Sequence, residues 1–216
     1  VEKWKNDYDF KTVTGALGSL AVTVIFAFYN GFLGIYHRSL WHGSICVYYI
    51  VLVLLRVFII TARKRIGSKA NPGNARDTAY VVSALFLFLL NLSLVVPVSL
   101  MVVLRKPVSM TLIPAIAMAA YTTYKIVMAS VNLRKRKRSS DSLVRLLRTI
   151  SFIEALAAIL TLQNTLIMVN TSGDGSEMLP LTAVTSAAVI LAVLTLSVVA
   201  ITKGIISIKR HKKKQK

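Results

Sequence analysis

The chain has 216 residues, of which 55% are hydrophobic and only 16% charged, yet 27 Lys and Arg against 8 Asp and Glu leave a formal net charge of +19. A soluble domain has about 25% charged residues, and its apolar residues come in short periodic stretches rather than in long uncharged blocks. With Cys46 as the only cysteine, the composition excludes an ordinary soluble domain, a disordered tail and a disulfide scaffold. The mixed charges of residues 1–15, followed by no small-residue cleavage site, do not indicate a secretory signal peptide.

Six apolar segments are long enough to cross a hydrocarbon core of about 30 Å, which takes roughly 20 residues of helix. They are residues 12–36, 40–62, 79–104, 109–132, 150–170 and 180–202. Because a backbone in lipid must satisfy its own hydrogen bonds, each segment is predicted to be a helix, and no two-residue alternation indicates barrel strands. We therefore predict an all-α, polytopic membrane protein, with a six-helix transmembrane bundle over residues 1–208 and a basic tail over residues 209–216.

The connecting segments predict the orientation of the chain. Residues 1–11, 63–78, 133–149 and 203–216 together hold 22 of the 27 Lys and Arg, whereas the opposite face holds Arg38, Arg105 and Lys106. The positive-inside rule then predicts a multi-pass protein of the cell membrane with both termini cytoplasmic. These cations are expected to contact anionic lipid headgroups, so we expect no nucleic-acid partner. Binding of RNA or of an acidic protein by the tail is the alternative.

Short links join the six predicted helices into three hairpins, and each hairpin ends in a similar pattern of basic residues. Arg56, Lys125 and Lys203 each precede a basic run, at separations of 69 and 78 residues. This spacing predicts three tandem helical hairpins related by an axis along the membrane normal. Two alternatives remain: a coincidence of composition, because cytoplasmic helix ends attract Lys and Arg, and an inverted repeat of three plus three helices.

Three ionisable residues fall inside the predicted spans, where a charge costs about 2.5–3.5 kcal/mol on insertion scales and indicates a functional site by default. At a rise of 1.5 Å per residue, Arg56, Lys125 and Glu154 lie roughly 9–13 Å from the neighbouring basic segments, within one slab. Such a set predicts interior pairing with one net positive charge, which attracts an anion or an anionic headgroup. The alternatives are snorkelling of the long side chains to the interface and purely structural pairing.

Five further residues are candidates for the same substrate site, and they form a second, more dispersed polar layer. They are Asn91, Gln163, Asn164, Tyr121 and Tyr124. Side chains of this kind suit the wall of a water-filled path through a bundle. The alternative is hydrogen bonding between helices, worth about 0.6 kcal/mol on average.

The sequence holds no Walker loop, Rossmann glycine motif, zincin motif or nucleophile elbow. His37 and His42 share one short turn and lack the facing ligands that a metal or haem requires. We therefore expect no enzyme, no metal and no cofactor. In size and span number the chain is similar to the substrate-capturing subunits of vitamin-uptake transporters, without a shared motif.

The favoured function is binding or translocation of a small solute, ion or lipid at a cationic intramembrane site near the cytoplasmic side. The alternative is a membrane-embedded interaction or sensor subunit whose basic loops and tail bind anionic lipid or a cytoplasmic partner. Either type can work as a homo-oligomer or with a partner subunit, because small residues such as Gly31 and Gly34 permit close helix packing.

Overall fold

Apart from a turn at Leu94, the apolar segments are helical wherever the structure describes them. The computed structural model describes the backbone of residues 2–67, 72–96, 98–99, 112–135, 141–170 and 179–214. Within these ranges, the description does not extend to the side chains of residues 2–16, 72–74, 114, 132–135, 164, 167–170, 179–182 and 210–214. Arg105 and Lys106, two of the three cations assigned to the outer face, lie outside the described residues.

The described residues form six helices and no strand. In chain order these are α1 (Glu2–Tyr36), α2 (Leu40–Gly67), α3 (Pro72–Ser93), α4 (Leu112–Lys135), α5 (Ser142–Asn170) and α6 (Leu179–Lys214). Each helix extends past its predicted span on the basic side, because Lys and Arg favour helix nearly as well as apolar residues do. The segment predicted as a tail from residue 209 therefore continues α6 as far as Lys214.

Four helices contain a stretch long and apolar enough to cross a membrane. These stretches are Leu17–Tyr36, Leu40–Gly67, Ala75–Ser93 and Ala183–Lys209, with mean hydropathies of 1.6, 2.5, 1.3 and 2.5. A shorter apolar stretch, Ala115–Val131, lies in α4. The all-helical fold that the sequence predicts is thus confirmed, and the four apolar stretches are compatible with the predicted multi-pass protein, whereas spanning by six helices stays a prediction.

Helix α5 forms the centre of the bundle. It packs against α4, α6, α3 and α2, and its buried side chains point in every direction around the helix axis. Leu143, Leu146, Ile150 and Ile153 are fully enclosed, as is the charged residue Glu154. A helix that is apolar on all sides belongs in the interior of a helical protein, and this enclosed helix is the one that carries Glu154.

The start of α5 is held by a cap and an ion pair. The carboxylate of Asp141, the residue before the helix, accepts a hydrogen bond from the backbone N of Leu143 at 3.0 Å, which is the geometry of an N-cap. Its other oxygen lies 2.8 Å from Nε of Arg63 in α2. The second half of the predicted loop 133–149 is therefore helical, and Arg148, counted there as a surface cation, is only 2% exposed.

Each helix of the first half runs antiparallel to its counterpart three helices later. In each pair, as the residue number of a contact rises along the first helix, the residue number of its partner falls along the second. The contacts are Thr23–Lys125 and Phe26–Tyr121 for α1 and α4, Arg56–Glu154 and Arg63–Asp141 for α2 and α5, and Asp77–Ser207 and Asn91–Ser197 for α3 and α6. Both halves thus contain three helices, and corresponding helices have opposite directions.

The packing pattern is nearly unchanged when the two halves are exchanged. Helix α1 packs on α2 as α4 packs on α5, α2 packs on α3 as α5 packs on α6, and the halves meet through α2–α5 and α3–α6. The contact of α3 with α5 departs from this symmetry. Among the described residues α3 packs on α6, α2 and α5 and has at most a marginal contact with α4, so the packing follows the three-plus-three arrangement more closely than the tandem hairpins.

Glycine permits two close helix crossings. A Cβ on Gly34 would lie 2.9 Å from the backbone N of Gly43, where α1 and α2 converge on their turn. A Cβ on Gly204 would lie 2.6 Å from a methyl carbon of Val81, where α6 crosses α3. The Gly34 crossing is the tighter constraint, because its neighbour is backbone and has no rotamer with which to move away.

We predict that Gly34→Ala lowers the free energy of unfolding by about 1–3 kcal/mol, the usual cost of overpacking. Gly18→Ala is the matched control, because a Cβ at Gly18 meets nothing within 4 Å and Ala favours helix by about 1 kcal/mol. Thermal unfolding of the detergent-purified proteins measures both effects. Equal stability of the two variants would contradict the close crossing.

Candidate functional site

The three ionisable residues of the predicted spans meet at one point inside the bundle. Glu154 of α5 has one carboxylate oxygen 2.5 Å from Nη2 of Arg56 in α2 and the other 2.6 Å from Nζ of Lys125 in α4. The three side chains are at most 2% exposed. The long cationic side chains are therefore turned inward and do not snorkel to the interface. We call this group the charged triad.

Hydroxyl groups from the neighbouring helices complete the triad. The hydroxyl of Thr23 in α1 donates to Glu154 and accepts a hydrogen bond from Lys125 Nζ at 2.7 Å. Ser19, one turn earlier on the same helix face, accepts from Lys125 Nζ at 3.2 Å. Ser151 of α5 accepts from Arg56 Nη2 at 3.2 Å. Four helices thus contribute to one polar centre in an otherwise apolar interior.

The triad has one more positive charge than negative charge when all three groups are ionised. An uncompensated charge in a low-dielectric interior costs several kcal/mol after relaxation. In addition, Nε of Arg56 is buried and donates to no acceptor among the described residues. The site therefore combines an excess positive charge with an unused N–H donor, and both properties suit a further acceptor that carries negative charge.

An aromatic layer lies against the triad on the side away from the basic helix ends. The hydroxyl of Tyr121 donates to Glu154 at 3.2 Å, and its ring stacks on Phe26 with centroids 3.5 Å apart. Tyr49, fully buried, meets the Tyr121 ring edge-on at 6.1 Å. Lys125 Nζ lies 5.2 Å from the Tyr121 centroid and 5.9 Å from that of Tyr124, within the range of cation–π attraction.

Asn91 lies in a separate polar cluster beyond this aromatic layer. Its Oδ1 accepts a hydrogen bond from the Tyr48 hydroxyl at 3.1 Å, and its Nδ2 donates to Ser197 of α6 at 2.8 Å. The Tyr48 ring contacts Tyr49 at 5.5 Å between centroids. Asn91 thus connects α2, α3 and α6 by hydrogen bonds, and aromatic rings separate it from the charged triad.

The remaining candidates do not join the triad through any described contact. Gln163 of α5 donates a hydrogen bond to the Thr185 hydroxyl of α6, which is the interhelical bonding that the sequence left open as an alternative. The side chain of Asn164 lies outside the described residues. In the part of the chain that the structure describes, no group of three or more His, Cys, Asp or Glu could hold a metal ion.

A cavity of about 970 Å³ lies between α1, α2 and α3 at the end of the bundle that holds the α1–α2 turn. Arg38 and Ser39 line it at the turn, Tyr48 and Val51 at its inner end. None of the triad residues lines it. Val51 is five residues before Arg56 on α2, or roughly 7 Å along the helix axis, so the cavity ends above the level of the triad.

Sequence reasoning missed the hydroxyl partners of the triad and one buried cation. Ser19 and Thr23 are four residues apart in the first apolar segment, a spacing that places two hydroxyls on one helix face. The sequence shows this spacing, but it does not show that α1 lies next to α4. The two hydroxyls matter only because of that neighbour. The buried position of Arg148 had no such signal, because its neighbours Arg145 and Thr149 are as polar as those of a surface loop.

We predict a strong asymmetry between two charge-removing variants of the triad. Glu154→Gln leaves two buried cations without their shared anion and is expected to cost about 3–5 kcal/mol of unfolding free energy. Lys125→Met leaves the neutral Arg56–Glu154 pair and is expected to cost about 1–3 kcal/mol, the value of the lost hydrogen bonds. Denaturant or thermal unfolding in detergent compares them, and equal losses would contradict this account of the charges.

The chain matches no protein-family model, no curated protein sequence and no solved structure. Two properties of the chain itself bear on its function, namely the charge excess of the triad and its position between two antiparallel halves.

Proposed function

We propose that this protein is a small membrane transporter that binds a small anion at the charged triad and carries it across the cell membrane. The observation that carries the proposal is the excess positive charge of Arg56, Lys125 and Glu154 at the junction of the two halves. In this proposal all six helices span the bilayer, α4 and α5 included, and both termini are cytoplasmic. The excess of Lys and Arg at one end of the bundle supports that orientation.

The anion as substrate class follows from the chemistry of the triad. Glu154 neutralises one of the two cations, and Nε of Arg56 remains as a buried donor without an acceptor among the described residues. A small anion that reaches this position gains a charge-assisted hydrogen bond and removes the electrostatic penalty of the site. A cation or an uncharged apolar solute gains neither.

The arrangement of the helices supports transport by alternating access. Substrate sites of transporters with inverted repeats lie near the bilayer midplane at the interface of the repeats, and the halves rock about that site. Here α1 and α2 of the first half supply Ser19, Thr23 and Arg56, whereas α4 and α5 of the second supply Lys125 and Glu154. A rocking motion of one half against the other would therefore separate these charges and open the site.

In the proposed mechanism, the structure corresponds to the state in which the basic end of the bundle is closed. Toward the basic end the triad, the Arg63–Asp141 ion pair and the Asp77–Ser207 hydrogen bond join helices of opposite halves. Toward the other end lies the cavity of about 970 Å³. In this proposal opening of the basic end releases the anion to the cytoplasm or accepts it from there, and the opposite rocking movement opens the other end.

Two triad variants are expected to change anion binding in opposite directions. Lys125→Met removes the excess charge and should abolish stabilisation by anions, whereas Glu154→Gln adds to the excess and should strengthen it. The measurement is the shift in unfolding temperature with phosphate, sulfate, acetate and succinate, each as its sodium salt. A ligand present at about 100 times its Kd stabilises by about 2.7 kcal/mol, which such a shift resolves.

Transport itself is measured on proteoliposomes, as currents on a solid-supported membrane after jumps of the same anions. Val184→Trp is the matched control, because Val184 is 68% exposed on α6 and lines neither the triad nor the cavity. Wild type and this control should give currents that Lys125→Met lacks. Identical anion responses in wild type, Lys125→Met and Glu154→Gln would overturn the proposal.

A second candidate function is a membrane interaction or sensor subunit with a purely structural triad. The observation that favours it is the enclosure of the triad, whose three side chains are hydrogen-bonded and at most 2% exposed. In that case Glu154→Gln lowers the yield of folded protein, and none of the four anions changes the unfolding temperature of any variant. The basic helix ends then provide the binding surface for anionic lipid or a cytoplasmic partner.

A further inference from the structure

The cavity next to the α1–α2 turn opens sideways, toward the surroundings of the bundle. Three of the apolar residues on its rim, Ile35, Leu40 and Val47, are strongly exposed. In a membrane such residues face lipid chains rather than water. The cavity is therefore a lateral groove between α1, α2 and α3 that a molecule dissolved in the bilayer can enter.

The groove has the length of one lipid leaflet. Its lining on α2 runs from Leu40 to Val51, which at 1.5 Å per residue is roughly 17 Å along the helix axis. Half of a hydrocarbon core of about 30 Å is about 15 Å. Leu90 of α3 and Leu94, directly after that helix, add apolar lining, so a single extended acyl chain fits both the length and the surface of the groove.

Small residues of α1 and α2 leave space for that chain. Gly31, Gly34 and Gly43 line the groove together with Cys46. At Gly34 a side chain would collide with the backbone of α2, whereas a Cβ at Gly43 would meet nothing within 4 Å, so a larger residue at Gly43 would enter open space. The inner end is closed by Tyr48, whose hydroxyl is already bonded to Asn91.

Arg38 places a positive charge at the polar end of the groove. It lines the groove at the α1–α2 turn and has a φ of 48°, in the left-handed region where Gly is preferred and other residues are uncommon. If only the backbone conformation of this turn mattered, Gly would be the favoured residue at position 38. The three acidic side chains that the structure describes, Asp77, Asp141 and Glu154, are bonded to partners toward the other end of the bundle.

We propose that this groove is a binding site for one anionic lipid of the leaflet that surrounds the α1–α2 turn. The headgroup phosphate pairs with the guanidinium of Arg38, and one acyl chain lies along Val47 and Val51 as far as Tyr48. The inference rests on the membrane embedding in the proposed function but not on transport. Arg38 binds the charged headgroup of the lipid, and the groove binds its acyl chain.

Cys46 provides a direct measure of occupancy, because it is the only cysteine of the chain and lines the groove. The experiment follows the rate of Cys46 alkylation by N-ethylmaleimide in detergent-purified protein with added dioleoyl phosphatidylglycerol. At a lipid concentration about ten times its Kd, binding is expected to slow alkylation about tenfold. Dioleoyl phosphatidylcholine, with the same chains and no net charge, should slow it much less.

Variants of Arg38 distinguish an effect of its charge on lipid binding from an effect on folding. Arg38→Gly suits the left-handed backbone and should fold, yet it should lose the protection by phosphatidylglycerol, whereas Arg38→Lys should keep most of it. Val47→Trp tests the chain site independently, since it fills the groove and should also abolish protection. Val184→Trp, outside the groove, and Lys125→Met, at the triad, should both keep the protection of Cys46 by phosphatidylglycerol that wild type shows.

Three results would overturn this inference. The first is equal protection of wild type by the two dioleoyl lipids, and the second is equal protection of wild type and Arg38→Gly by phosphatidylglycerol. The third is full protection by glycerol 3-phosphate alone, which would make the groove a site for a soluble anion. Because Lys125→Met tests transport without touching the groove, failure of the transport proposal leaves these measurements interpretable.

Discussion

The pairing of one carboxylate with two cations holds the two halves of this bundle together. Glu154 is fully enclosed on the central helix α5, and its partners Arg56 and Lys125 reach it from α2 and α4. Because lipid chains are as apolar as the side chains that face them, burial of apolar surface does little to join helices within a membrane. In a membrane, the charge-assisted hydrogen bonds of the triad would therefore contribute to the pairing of α2, α4 and α5, because their loss would leave buried charges unpaired.

The triad also divides the bundle into two chemically different ends. Between the triad and the α1–α2 turn lie aromatic rings, the Asn91 cluster and a wide lateral groove, whereas toward the basic end ion pairs and hydrogen bonds cross between the halves. In the proposed rocking mechanism the bonds across the basic end break when that end opens, and the Asn91–Ser197 bond breaks when the opposite end opens. The same asymmetry would serve a sensor that responds to lipid at the groove, and the anion response of the triad distinguishes the two.

Much of the site was predictable, although only at the level of residue type and depth. An ionisable residue inside an apolar segment must avoid lipid, so three of them at one depth predicted a common interior location for Arg56, Lys125 and Glu154. Asn91 and Gln163 were chosen by the same reasoning but have different neighbours, because polarity alone does not state toward which helix a side chain points. Ser19 and Thr23 were overlooked because single hydroxyls are common in membrane helices and become informative only beside a charge.

The sequence by itself determined that the chain is helical, that several of its segments can cross a membrane, and that its cations gather at the connecting segments of one face. These properties follow from the composition of each segment and from the need of a backbone in lipid to satisfy its own hydrogen bonds. Only the tertiary structure decided which helices pair. The basic spacing of Arg56, Lys125 and Lys203 favoured tandem hairpins, yet α3 packs on α6, and each helix opposes its counterpart three places later. Helix pairing depends on which small, hydroxyl and charged side chains meet across a crossing, and that information lies in contacts between residues about a hundred positions apart, such as Arg56 and Glu154.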